Sequence, residues 1–119
     1  MNHGEKKIAK IIEELTMYFF TIGADKIESG IFRNGREVTI HFKSNYRQEC
    51  REKLDNLEKY FNEPKNEGIE DFYWELAGSG DPGESSQLLL VGMMIDRAEI
   101  NILDAEVELR LYKELEDSQ

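Results

Sequence analysis

The chain has 119 residues and a formal net charge of −10; 39% of its residues are hydrophobic, 10% aromatic and 34% charged. That length and apolar content suit one globular domain with a single core, residues 1–119, and exclude a disordered chain. The negative charge disfavours phosphate backbones and anionic bilayer surfaces, so neither a nucleic-acid partner nor a membrane is expected.

In chain order, the polar start to Lys7 is expected to fray and carries no signal-peptide pattern. Ile8, Ile11, Ile12, Leu15, Tyr18, Phe19 and Ile22 then follow helical spacing, and Gly23 is a natural stop. Lys26–Arg33 and Arg36–Ser44 read as two strands joined by Asn34-Gly35, a two-residue hairpin turn in which both residues accept positive φ. In the second strand Val38, Ile40 and Phe42 alternate with Thr39, His41 and Lys43, which predicts one buried and one wet face. Gly30 marks a bulge or a close approach.

Cys50, Leu54, Leu57, Tyr60 and Phe61 form a helical stripe over residues 48–61. On the other face Arg47, Arg51 and Lys53 are interleaved with Glu49, Glu52 and Asp55, a mixed-charge solvated surface. Cys50 is the lone cysteine, so no intrachain disulfide forms, and it reads as a small buried hydrophobe. This fits a cytoplasmic protein. A loop over 62–68 leads to Ile69–Ala77, a short helix or strand whose Tyr73-Trp74 pair is the candidate partner-binding anchor. The glycine-rich loop 78–83 lacks the basic residue of a P-loop. Ser85 or Ser86 caps a helix to about Asp96, and its apolar run Leu88–Ile95 is too short to span a bilayer. Ala98–Ile102 and Glu106–Tyr112 alternate about the turn Leu103–Ala105, and 114–119 reads as a frayed tail.

The order is α-β-β-α-α-α-β-β. Two hairpins, each after an apolar helix, predict an α+β fold: a two-layer α/β sandwich with a single mixed sheet covered by helices on one face. The other face is expected to carry His41, Lys43, Glu99, Asn101, Glu106, Glu108 and Arg110.

This order resembles the GHKL (Bergerat-fold) ATPase domain of histidine kinases and anti-sigma-factor kinases. The resemblance places the family's helix-one Glu at Glu14 and its magnesium-binding Asn at Tyr18. The adenine-binding Asp and its glycines fall at Ser44-Asn45-Tyr46, and the glycine turn under the phosphates falls at Ser85-Ser86-Gln87-Leu88. Tyrosine does not replace an amide oxygen on magnesium, and serine lacks the charge-assisted bond of a carboxylate. Side chains at the former glycines obstruct backbone approach to phosphate.

The expectation is therefore a degenerate, catalytically silent GHKL-like regulatory or protein-binding module with a vestigial cleft at Glu14, Tyr18, Ser44, Asn45, Ser85, Ser86 and Gln87. No catalytic residue, metal or cofactor is expected, and the partner is a basic protein or a second copy. His3 and His41 lack metal-ligand spacing. The alternatives are a small-molecule-binding protein or unusual enzyme reusing that cleft, and a homodimeric structural module.

Overall fold

The computed structural model describes residues 3–62 and 84–115. Its elements are α1 (His3–Thr21), β1 (Ile27–Asn34), β2 (Glu37–Asn45), a 3-10 segment (Gln48–Asn56), α2 (Leu57–Asn62), α3 (Glu84–Met94), β3 (Arg97–Ile102) and β4 (Glu106–Glu114). The expected element at 69–77, the loop at 78–83 and the Tyr73-Trp74 anchor lie outside the described residues.

The fold is α+β, with four strands in one open sheet of order β1-β2-β4-β3. The two hairpins join through their second strands. Because β2 and β4 run in opposite directions, every pair in the sheet is antiparallel rather than mixed. Val38, Ile40 and Phe42 on β2, with Val107, Leu109 and Leu111 on β4, are buried beneath the helices. Onto them pack Ile8, Ile11, Leu15, Phe19 and Ile22 of the first helical unit, Leu57 and Phe61 of α2, and Leu88 and Val91 of α3. Fully burying a side chain of this size contributes about 1.5–3 kcal/mol, so this core is the main source of stability.

Several boundaries differ from expectation. α1 already begins at His3, inside the stretch expected to fray. It ends as foreseen at Gly23: the Gly23 amide donates to Phe20 and the Ala24 amide to Phe19, at 3.1 and 3.0 Å. This is the double bond of a Schellman stop. The first hairpin turns one residue later than Asn34-Gly35, since Asn34 pairs with Glu37 and the loop is Gly35-Arg36. Gly35 has φ +67° and no non-glycine residue among the described residues has positive φ, the pattern of a turn that needs glycine only at its first position. Gly30 makes no bulge; it pairs regularly with His41.

The helix expected over 48–61 is split. Gln48–Asn56 is a 3-10 helix and only Leu57–Asn62 is α-helical. Among the described side chains of the 3-10 segment only Leu54 is buried, so little packing holds it to the wider helix. At the other end of the chain, β4 runs to Glu114, and Leu115 is buried with its amide donating to the Arg36 carbonyl at 2.7 Å. The start of the expected tail is thus part of the core.

α3 lies close against α2. A Cβ at Gly92 would sit 2.1 Å from the Tyr60 carbonyl oxygen, so only glycine permits this approach.

Candidate functional site

Three residues that the resemblance places at the nucleotide site, Tyr18, Ser44 and Glu14, are internal. Tyr18 is 1% exposed, and its ring meets Phe19 edge-on at 5.4 Å between centroids. Its hydroxyl donates to the Lys53 carbonyl at 3.0 Å, joining α1 to the 3-10 segment. Ser44 is 1% exposed and donates to the Asn45 carbonyl at 2.8 Å. Glu14 is buried and pairs with Lys10 at 3.2 Å. The Lys10 pKa is raised above its usual range, first by the hydrogen bond to Glu13 and then by that to Glu14.

Asn45 has a structural task. Its side-chain oxygen accepts from the Asp25 and Lys26 amides at 2.9 and 3.2 Å, and its amide nitrogen donates to Asp25 Oδ1 at 2.6 Å. It thereby fixes the connection from α1 to β1. Ser85, Ser86 and Gln87 stand in the first turn of α3, and the roles expected of their side chains lie outside the described residues.

The helix-free face of the sheet is different. Antiparallel register sets side chains directly opposite one another on the same face. One row crosses the strands as Phe32, Thr39, Tyr112 and Arg97; the next as Gly30, His41, Arg110 and Glu99; the third as Glu28, Lys43, Glu108 and Asn101. All seven residues expected on the wet face lie on it. Residues of these rows, including Glu28, Phe32, His41, Lys43, Glu108 and Arg110, line a concavity of about 590 Å³.

The chemistry of this face is divided. On the β3–β4 side, Glu99 is the centre of a network. It accepts from the Tyr112 hydroxyl at 2.8 Å and pairs with Arg110 and Arg97 at 3.5 and 3.9 Å. The Arg97 guanidinium also lies 3.9 Å from the Tyr112 ring centre, a cation–π contact. On the β1–β2 side, the Phe32 ring leans over Gly30 and against His41, with ring centroids 4.8 Å apart. Phe32 is 59% exposed. Lys43 pairs with Glu106 at 3.7 Å, not with the cross-strand neighbours Glu28 and Glu108 that flank it. Those two carboxylates make no ion pair among the described residues.

Sequence reasoning placed the charged residues on this face but not Phe32, which lies in the first strand. Its signal was available: with the turn at Gly35-Arg36, strict alternation puts Phe32 level with Thr39.

Among the described residues, no group of three or more His, Cys, Asp or Glu side chains is arranged to hold a metal ion. No described helix is long and apolar enough to cross a membrane. Compared with protein-family models, curated proteins and solved structures, the chain matches none of them.

Proposed function

We propose that this chain is a catalytically silent, GHKL-like regulatory module of the cytoplasm that binds a protein through the helix-free face of its sheet. The observation that carries the reading is the pairing on that face of an exposed aromatic, Phe32 against His41, with two carboxylates, Glu28 and Glu108, that have no cationic partner among the described residues. An aromatic anchor beside unpaired acids favours a partner offering an apolar contact flanked by Lys or Arg. The net charge of −10 adds long-range attraction for such a surface.

The silent half of the reading is supported by Tyr18, Ser44 and Glu14, whose polar atoms are buried and already hydrogen-bonded or ion-paired. A ligand there would have to break these contacts before making its own. The free, partly buried thiol of Cys50 suits a reducing compartment.

Two measurements test the proposal. Calorimetric titration with Mg-ATP is expected to give no binding heat, and a saturable isotherm sinks the silent half. Affinity capture on the wild-type protein and on a Phe32→Ala, Glu108→Lys variant tests the face. A specific partner should be lost with the variant while its melting temperature holds; a partner retained equally by both rules the face out.

A further inference from the structure

The two edges of the sheet are treated differently. At β3, the Asn62 side chain occupies both backbone groups of Ala98. At β1, the opposite edge, no described element pairs with the outer side.

The hairpin register says which groups point outward there. Asn34 and Glu37 flank a two-residue loop, so they exchange hydrogen bonds, and bonded and non-bonded pairs alternate from that point. The Asn45 amide donating to the Lys26 carbonyl at 3.2 Å keeps the same phase at the far end. Ile27, Ser29, Ile31 and Arg33 therefore turn N–H and C=O away from β2.

Apolar surface accompanies this row on both faces. Ile31, on the helix side, is 53% exposed, and Phe32, on the open side, 59%. A strand of eight residues with apolar side chains and no described strand on its outer side is a template for another strand.

We propose that two copies of this chain pair antiparallel through β1 about a two-fold axis at Ile31, joining their four-stranded sheets into one. The strand is complementary to itself in this register. Outward-pointing groups meet outward-pointing groups. Ile31 packs on the partner subunit's Ile31, and Phe32 lies opposite the partner subunit's Gly30, the residue type that its ring already leans over within one copy. The two charged residues of β1 meet neutral ones: Glu28 faces the partner subunit's Asn34, and Arg33 the partner subunit's Ser29. No like charges face each other, which favours a second copy over an unrelated strand. Phe32 is shared with the proposed partner-binding face, but the backbone register that carries this inference does not depend on what that face binds.

Sedimentation velocity across a dilution series tests it, on the full chain and on Ile31→Pro. The Ile31 amide points outward, so proline there removes no bond between β1 and β2 but blocks pairing with a second copy. The wild type is expected to dimerise, and Ile31→Pro to dissociate at least about thirtyfold more readily with an unchanged circular dichroism spectrum. If the proline variant fails to fold, Ile31→Lys decides, because it sets two like charges together at the axis while altering a side chain that is already half exposed. A wild-type monomer at every concentration overturns the proposal. So does a folded Ile31→Pro or Ile31→Lys dimer, or a native mass spectrum showing a monomer with a bound peptide.

Discussion

The side-chain amide of Asn62 pairs with the backbone of Ala98 as a neighbouring strand would. Its nitrogen donates to the Ala98 carbonyl at 2.9 Å and its oxygen accepts from the Ala98 amide at 2.7 Å. One residue thus locks the end of α2 to the sheet and closes part of an edge. Asn62→Ala should lower stability by about 1–3 kcal/mol, because it strips both partners from a part-buried peptide unit. Asn62→Asp should also destabilise, since it keeps the acceptor but sets a negative charge against the Ala98 carbonyl. Urea denaturation of the two variants beside the wild type measures both effects.

The contact between Gly92 and Tyr60 predicts a second sensitive point. Alanine at 92 forces its methyl to within 2.1 Å of a backbone oxygen, so α2 and α3 must separate. The expected cost is about 1–3 kcal/mol or more, with slower-exchanging amides of both helices losing protection. Gly35→Ala should cost about 1–2 kcal/mol for another reason: the space is open, but φ is +67°. Gly35→Asn should recover part of that loss, while Gly92→Asn should be worse than Gly92→Ala. Thermal melts of the four variants separate crowding from backbone strain.

Tyr18→Phe keeps the ring and removes the hydroxyl that donates to Lys53. A loss of about 1 kcal/mol is expected, and the 3-10 segment should show faster amide exchange around Lys53. Tyr18→Asn restores the residue type that the GHKL resemblance places there, but it empties a fully buried site. Chemical denaturation should show it losing about 3–5 kcal/mol rather than gaining magnesium affinity.

Lys10 supplies a test of pH dependence. Its pKa is raised in the folded chain by Glu13 and Glu14. The resulting stabilisation is fully present below the unfolded-state pKa and is lost as pH rises through the raised folded value. Stability should therefore fall in the alkaline range by more in the wild type than in Lys10→Met. The amplitude should be small, because the Lys10 side chain is 48% exposed. An NMR titration of the Lys10 side chain in wild type and Glu13→Gln should show the midpoint moving down when Glu13 is neutralised.

What the sequence discloses is local. The alternation of Val38, Ile40 and Phe42 against His41 and Lys43 announces both faces of β2, and the acidic and basic residues of β3 and β4 fall where their parity puts them. The stripe ending in Leu57 and Phe61 marks the covered side of α2. Contacts between distant residues are not announced in this way. Nothing near Asn62 indicates that its amide will meet Ala98, and nothing around Gly92 in its apolar run reveals the Tyr60 carbonyl against it. Tyr46 is a similar case: its buried hydroxyl donates to the Leu103 and Asp104 carbonyls at 2.7 and 3.0 Å, holding the second turn to the end of β2. The surroundings of Tyr18 are hidden for the same reason. Helical spacing makes Tyr18 part of an apolar stripe but leaves open whether its hydroxyl ends in solvent or on a backbone carbonyl.

The meeting of β2 with β4 has a consequence for the newborn chain. The inner side of the first hairpin is completed by β4, Glu106–Glu114. As the protein leaves the ribosome, α1 and the first hairpin can form early, yet Val38, Ile40 and Phe42 have no second neighbouring strand until residues 46–105 and then β4 have been made. The middle of the sheet is thus completed by a strand made long after the one it joins, and in that interval the inner edge of β2 stands unfinished in solution.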